Sequence, residues 1–255
     1  MSQVIKFPLL VLVISLVVLW LAVRIGAALR KGRRSLEEHE REDYGLIMAA
    51  ILTLLGLIIG FSFSMAITRY DQRKNLEEEE ANAIGTEYVR ADLLPAADAA
   101  KARALLLKYL DQRILFYETR DDAQLQKINT VTTQVQSELW SAVEAPAEAR
   151  PTPVLAVVVT GMNEVLNSQG YTQAAWWNRI PSAAWGLMIA IAVCCNVLIG
   201  YGAHGQKTRA MLLLVLPLVV SISFYLIADI DSPRGGMVRV RPQNLVSLSQ
   251  SLRPH

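Results

Sequence analysis

The run LIMAAILTLLGLIIGFSFSMAIT, residues 46–68, decides the fold of this chain because it holds 23 residues without a charge. A helix rises about 1.5 Å per residue and the hydrocarbon core of a bilayer is about 30 Å thick, so this run is typical of a transmembrane helix. Three further apolar runs, residues 7–23, 180–203 and 210–228, are also long enough to cross. The sequence therefore predicts an all-α membrane protein with four transmembrane helices.

The composition agrees with a membrane location and gives no indication of a soluble partner. Hydrophobic residues make up 53% of the 255 positions and charged residues only 19%. The formal net charge of +2 is too close to neutral to indicate nucleic-acid binding. The two cysteines, Cys194 and Cys195, are adjacent within an apolar run, where a bridge between them would be strained, so we expect them to be apolar filler.

The segment between the second and third runs is rich in Ala, Leu, Glu, Gln and Lys, which favours helix over strand. We expect one helix to continue unbroken from the second run to Leu94, and three more over about 97–119, 121–143 and 154–167, with prolines at their ends. Apolar and aromatic residues at three- and four-residue spacing predict the core of this segment: Leu105, Leu106, Tyr109, Leu110, Arg113, Phe116 and Tyr117.

Four parts of the chain follow from these patterns. Residues 1–69 and 180–230 each carry two transmembrane helices, residues 70–179 form a helical extramembrane domain, and residues 231–255 form a C-terminal tail. The loop 24–43 holds six Lys and Arg, so the positive-inside rule predicts that this side is cytoplasmic and that the domain 70–179 lies outside. The opposite side also carries basic residues near the membrane, which makes the bias small.

Small residues recur every four positions in the second run, at Gly56, Gly60, Ser64 and Thr68. They line one helix face and predict close packing against a neighbouring helix. A second interpretation is that several copies of this helix surround an axis, with Leu57, Phe61 and Met65 lining a constriction. The two interpretations are compatible in an oligomer.

Charged residues follow directly after this run, and two interpretations of them stay open. Pairs such as Arg73 with Glu77 suit a solvated, salt-bridged helix face, which charge runs usually are. Alternatively, rings of charge contributed by several copies surround a pore vestibule or hold a divalent ion. The candidate vestibule charges are Arg69, Arg73, Glu77 and Glu80.

No catalytic constellation is present in the sequence. It has no Gly-rich phosphate loop, no G-x-S-x-G and no H-E-x-x-H, and its three histidines are scattered. We therefore expect no enzyme activity, no cofactor and no metal site. Asp229 and Asp231, followed by a proline and two glycines, predict a tight turn after the fourth run, with ion pairing to Arg69 or Arg73 as a second possibility.

Two blocks resemble recurrent blocks of the bacterial bestrophin-like family of membrane proteins. They are GFSFSMAITRYDQRKNLEEEEANAIGTEYVRADLLP, residues 60–95, and FYLIADIDSPRGGMVRVRPQNLVSL, residues 224–248. The resemblance implies similarity to bestrophins, which are pentameric anion channels with four spans, a pore lined by the second span and a helical intracellular domain. By this resemblance, Leu57 and Phe61 belong to a hydrophobic neck. It places the middle domain in the cytoplasm, opposite to the charge count, and it does not imply calcium gating, because only Asp229 and Asp231 follow span four.

The leading hypothesis is an oligomeric channel of a bacterial inner membrane that passes small ions, with anions favoured by the resemblance. The alternative is a non-conducting, membrane-anchored sensor or scaffold whose helical domain binds a ligand or a protein partner. The expected partners are the lipid bilayer, further copies of the chain and small inorganic ions, and no nucleic acid.

Overall fold

The computed structural model describes residues 7–30, 38–202 and 208–253, and every regular element in these ranges is a helix. A 3-10 turn, Ala91–Leu93, follows the second helix. The α-helices in these ranges are α1 (Pro8–Arg30), α2 (Glu38–Arg90), α3 (Ala96–Glu118), α4 (Asp122–Ala149), α5 (Pro153–Trp177), α6 (Ser182–Gly202), α7 (Thr208–Asp231) and α8 (Gln243–Leu252).

Helix α2 is 53 residues long and carries residues 46–68 in its first part. At about 1.5 Å per residue it measures about 80 Å, well over twice the thickness of a bilayer core. The sequence prediction of one unbroken helix to Leu94 is confirmed to within a turn. Leu94 is extended, with φ −80° and ψ 160°, because the ring of the following proline disfavours helical backbone there.

Helices α4 and α5 begin where the sequence supplies a capping side chain. The carboxylate of Asp121 accepts from Gln124 N at 3.0 Å before α4, and the Thr152 hydroxyl accepts from Leu155 N at 3.2 Å before α5. Pro153 occupies the first turn of α5, where its missing N–H costs nothing. Helix α5 continues to Trp177, ten residues beyond the predicted end.

The predicted C-terminal end of α4 is wrong as well. Pro146 lies inside α4, which continues to Ala149 instead of stopping near Val143. The proline sits in the last turn and is buried there, so it removes a single backbone hydrogen bond, while its own carbonyl accepts from Arg150 N at 3.1 Å. A proline so close to a helix end therefore marks the boundary only approximately.

One compact unit comprises residues 1–69 and 179–239. In it α1 packs against α6 and α7, and α6 packs against α7. Glycines allow α1 and α6 to cross closely: a Cβ on Gly26 would overlap the Val197 carbonyl, and one on Gly200 would overlap the Val23 carbonyl. The rings of Trp185 and Phe224 meet edge to face, 6.0 Å apart.

The second compact unit comprises residues 70–178 and 240–255. Helices α3, α4 and α5 pack in sequence, and the C-terminal helix α8 packs on α3. The predicted core stripe is confirmed on α3, because six of its seven positions are buried and Leu105 is partly buried. Other core residues come from every helix of the unit, among them Ile84, Val135, Leu139, Val158, Met162 and Leu245.

Within the described residues, four helical stretches are long and apolar enough to cross a membrane. They lie in Pro8–Arg30, His39–Leu93, Pro153–Gly202 and Met211–Asp231. The second differs from the others: 11% of the residues in its most apolar window are buried within the chain, against 33% in each of the other three. The transmembrane part of α2 is therefore the least covered by its own chain.

Candidate functional site

The uncovered surface of α2 in residues 46–68 gathers the predicted pore-lining and packing residues. The Leu57 side chain is 52% exposed and Phe61 is 64% exposed. A Cβ added to Gly56 or Gly60 would meet no described atom within 4 Å. Ser64, Met65 and Thr68 extend the same exposed surface toward residue 69. The small-residue face thus lacks a packing partner among the described residues of its own chain.

The opposite surface of α2 is buried. We call it the buried stripe: it consists of buried residues that follow one another at intervals of three, four or seven residues and so lie on one side of the helix. In residues 46–68 the stripe holds Leu55, Ser62 and Ala66. Beyond residue 69 the same spacing brings four charged side chains into the stripe: Arg73, Glu77, Glu80 and Glu87. Buried charges need partners, since transfer of an ion out of water is costly. The surroundings of these side chains therefore decide whether their charged forms are stable.

Glu80 forms the centre of a buried polar cluster with α3 and α5. The Arg113 guanidinium donates to both of its carboxylate oxygens, through Nε to Oε1 and through Nη2 to Oε2 at 3.4 Å. The hydroxyls of Tyr117 and Thr172 donate to Oε2 at 3.3 and 3.4 Å. Arg113 also lies over the Phe116 ring, 4.4 Å from its centroid. The cluster ties three helices together without exposing any of its charge.

Electrostatics in this cluster favour the ion pair. Burial is the largest single influence on the pKa of Arg113 and lowers it. The charge and hydrogen bonds of Glu80, together with Tyr109 and Tyr117, outweigh burial and raise that pKa overall. Burial and then the Glu80 charge raise the pKa of Tyr117. The arginine therefore stays charged and the tyrosine stays neutral at any physiological pH.

Glu77 caps the C-terminal helix. Its Oε1 accepts from Leu245 N at 3.0 Å and its Oε2 from Asn244 Nδ2 at 2.7 Å. Helix α8 begins after Pro242, whose side chain makes no capping hydrogen bond. A carboxylate at a helix N-terminus satisfies free N–H groups and complements the helix dipole. Glu77 thus fastens α8 to α2.

The two aspartates in the last turn of α7 organise the turn that follows, as the sequence predicted. Asp229 accepts from Met237 N at 2.7 Å and from Val238 N at 2.8 Å. Asp231 accepts from Ile180 N at 3.1 Å, and its Oδ1 lies 3.6 Å from Arg69 Nη1. The predicted ion pair with Arg69 is present. Both carboxylates are engaged in holding the turn and the start of α6.

Of the four candidate vestibule charges, one is partly exposed and three are buried. The Arg69 side chain is 14% exposed, whereas Arg73, Glu77 and Glu80 are buried within the chain. Their neighbours Glu78 and Glu79 face outward. This burial weighs against direct contact of the three side chains with a water-filled vestibule, and the assignment of charged rings stays a prediction.

Among the described residues, no set of three or more His, Cys, Asp or Glu side chains is arranged to hold a metal ion. The paired aspartates Asp229 and Asp231, the acidic residues nearest the end of span four, use their oxygens on backbone N–H groups instead. The chemistry available at α2 is therefore that of apolar side chains, glycine backbone and buried ion pairs.

Comparison with known proteins identifies the family. The model of the Bestrophin-like domain matches residues 9–245. This chain belongs to the Bestrophin-like family. No curated protein sequence matches it.

Solved structures of a bacterial Bestrophin homolog from Klebsiella pneumoniae are similar to this chain in fold. The structure solved by Zn-SAD phasing has a TM-score of 0.63 at 14% identity and covers 94% of this chain and 95% of its own. Crystal structures of two single-residue variants of that homolog give TM-scores of 0.67 and 0.65 at 13% and 14% identity, each covering 94% of this chain and 95% and 97% of their own.

These findings confirm the fold class predicted from the sequence. The Bestrophin-like protein is an all-α membrane protein with four transmembrane helices and a helical extramembrane domain between the second and third. The predicted roles of Leu57, Phe61 and Met65 in a pore, and of Gly56, Gly60, Ser64 and Thr68 in packing, stay predictions.

Proposed function

We propose that several copies of this Bestrophin-like protein assemble in a bacterial inner membrane as a channel for small ions, with the transmembrane part of α2 around the central axis. Anions are the favoured ions because bestrophins, which the family resembles, conduct them. The supporting observation is the uncovered surface of α2. In its most apolar stretch, 11% of the residues are buried within the chain, against 33% in each of the other three transmembrane helices.

The glycines explain how copies of α2 could approach one another. Gly56 and Gly60 are open to contact, and small residues spaced by four let helix backbones pack closely in a membrane. A lipid-facing helix has no need of such a face. An assembly places this surface against a neighbouring copy and leaves the adjacent Leu57 and Phe61 side chains for the axis.

A neck at Leu57 and Phe61 would be apolar rather than a ring of hydroxyl donors. Thr68 donates its hydroxyl to the Ser64 carbonyl at 3.0 Å, and Thr53 donates to the Ala49 carbonyl at 2.8 Å, so both are satisfied within α2. Apolar constrictions control ion flow by excluding water from the narrowest point. Met65 lies two turns from Leu57 on this surface and continues the lining toward the extramembrane end.

Charge near the neck would come first from Arg69, one residue beyond Thr68. It keeps partial exposure while Asp231 holds it in place. We assign the buried Arg73, Glu77 and Glu80 to the internal architecture that supports the axis. Glu78 and Glu79 face outward and do not belong to this internal architecture.

The test is ion flux into liposomes that contain the purified protein, run with halides and with monovalent cations. Phe61→Ala should raise the flux several-fold, because it removes the largest side chain of the neck. Leu9→Ala is the matched control, since Leu9 is 67% exposed on α1 and lies outside the assigned axis. Its flux should equal that of the unmodified protein.

Two outcomes would contradict the proposal. Equal flux from the unmodified protein, Phe61→Ala and empty liposomes would favour the non-conducting sensor or scaffold. An equal change in flux in Leu9→Ala and Phe61→Ala would show that the neck is not formed by α2. Mass measurement of the detergent-solubilised protein accompanies the assay, because a monomer or dimer cannot surround an axial pore.

A further inference from the structure

Glu87 is the one carboxylate of the buried stripe on α2 that has no hydrogen-bond partner among the described residues. Its side chain is 1% exposed, and neither Oε1 nor Oε2 receives a donor. Glu77 and Glu80, on the same stripe, receive two and four. A buried carboxylate without donors is unfavourable as an ion and much less so as the neutral acid. Burial without donors therefore favours the protonated form of this carboxyl group.

Helix α5 shapes this site by presenting a glycine. A Cβ on Gly161 would overlap Glu87 Oε2 and Arg90 Nη1, so both groups occupy the space that a side chain of α5 would fill. The carboxyl group thus forms part of the contact between α2 and α5. A change in its charge must act on that contact.

Two charged groups face the Glu87 carboxyl, one from each helix. Arg90 lies one turn further along α2, and Glu164 lies one turn after Gly161 on α5. Arg90 Nη1 is 3.5 Å from Glu164 Oε2, which forms an ion pair between the two helices. The two side chains are 30% and 58% exposed, so this pair is weak. A new negative charge at Glu87, on a more buried site, competes effectively for the same guanidinium.

We propose that Glu87 is a proton-binding site that decides which carboxylate Arg90 pairs with. With Glu87 protonated, Arg90 bridges α2 to Glu164 on α5. When Glu87 releases its proton to solvent, Arg90 turns to the Glu87 carboxylate on its own helix and the bridge to α5 is lost. The contact between α2 and α5 therefore loosens as pH rises, independently of whether the protein conducts ions.

The electrostatic balance places this exchange near physiological pH. Burial raises the pKa of Glu87 to about 8, with Arg90 lowering it and Glu164 raising it. Small changes in pH around neutrality therefore alter the fraction of protein in each arrangement.

The first experiment detects the proton. Infrared spectroscopy of the full-length protein in lipid nanodiscs should show a protonated-carboxyl band at neutral pH that disappears as pH rises through about 8 and is absent in Glu87→Gln. Persistence of that titrating band in Glu87→Gln, or no such band in the unmodified protein, overturns the proposal.

The second experiment detects the exchange of partners by hydrogen exchange of peptides from α5, referenced at each pH to an unstructured peptide. In the unmodified protein, protection around residues 157–168 should fall roughly two- to fivefold between pH of about 6 and about 10. Glu87→Gln mimics the neutral acid and should keep full protection throughout. Glu164→Gln removes the bridge and should show the lower protection at every pH. Equal pH dependence in the unmodified protein and both variants overturns the proposed exchange.

Discussion

Arg113 of α3 donates to both carboxylate oxygens of Glu80 on α2, and both side chains are completely inaccessible to solvent. In sequence the two lie 33 residues apart, on helices separated by a turn at Pro95. Removal of one partner leaves the other as an uncompensated buried charge, which typically costs about 3–5 kcal/mol. The pair therefore makes the extramembrane domain highly sensitive to single substitutions here.

We expect Glu80→Gln to lower the free energy of unfolding of the extramembrane domain by about 3–5 kcal/mol. The double variant Glu80→Leu with Arg113→Met should recover most of this loss, because it removes both charges and keeps apolar volume. Thermal unfolding followed by helix content measures both. If Glu80→Gln unfolds at the temperature of the unmodified protein, the buried pair is not a source of stability.

The C-terminal helix should depend on Glu77. Glu77→Ala removes the acceptor of Leu245 N and Asn244 Nδ2, and loss of a helix cap costs about 1–2 kcal/mol. Hydrogen exchange in residues 245–252 should accelerate by roughly 5–30-fold. Glu78→Ala is the matched control, because its side chain is exposed on the adjacent position. Equal acceleration in both variants would show that Glu77 is not the cap.

The buried stripe of α2 shows how far the sequence could be followed. From Ala66 the spacing of its buried residues continues by a heptad to Arg73 and then by four and three residues to Glu77 and Glu80. The sequence patterns interpreted in the run 46–68 lie instead on its exposed face, at Gly56 and Leu57. The charged residues after residue 68 gave no sign of burial in the sequence. Arg73 and Glu77 are four residues apart, and such a pair is equally typical of an exposed, salt-bridged helix face. The partners themselves were beyond prediction: Leu245 lies 168 residues from Glu77, and no local pattern indicates such a contact.

The glycines show a related limit. The regular series that begins at Gly56 attracted the prediction of a packing face, yet the described chain places its close helix crossing at Gly26 and Gly200. Ala22 precedes Gly26 by four residues, which is the same spacing of small residues over a single interval. A small residue indicates where a backbone can approach, and only the tertiary structure says which backbone does.

Substitution of these glycines should separate folding from assembly. Gly200→Ala forces a methyl group into the Val23 carbonyl, so it should reduce stability by about 1–3 kcal/mol and lower the yield of folded protein. Gly56→Ala meets no described atom of its own chain and should leave thermal stability of the monomer nearly unchanged, while it weakens the proposed oligomer. Thermal unfolding and mass measurement of the same preparations distinguish the two. An unchanged oligomer in Gly56→Ala would move the subunit contact away from this face.

Stability should also depend on pH through Glu87. Its folded-state pKa of about 8 exceeds the ordinary value of 4.5, so between these pH values the folded protein holds a proton that the unfolded chain has released. The free energy of unfolding therefore falls as pH rises from about 4.5 through about 8 and levels off above. At about 1.4 kcal/mol per pKa unit, the loss from this group reaches at most about 5 kcal/mol. Glu87→Gln lacks the titrating group, so relative to the unmodified protein it should gain thermal stability progressively toward alkaline pH. A constant difference between the two proteins across that window would mean that Glu87 is ionised in the folded state throughout.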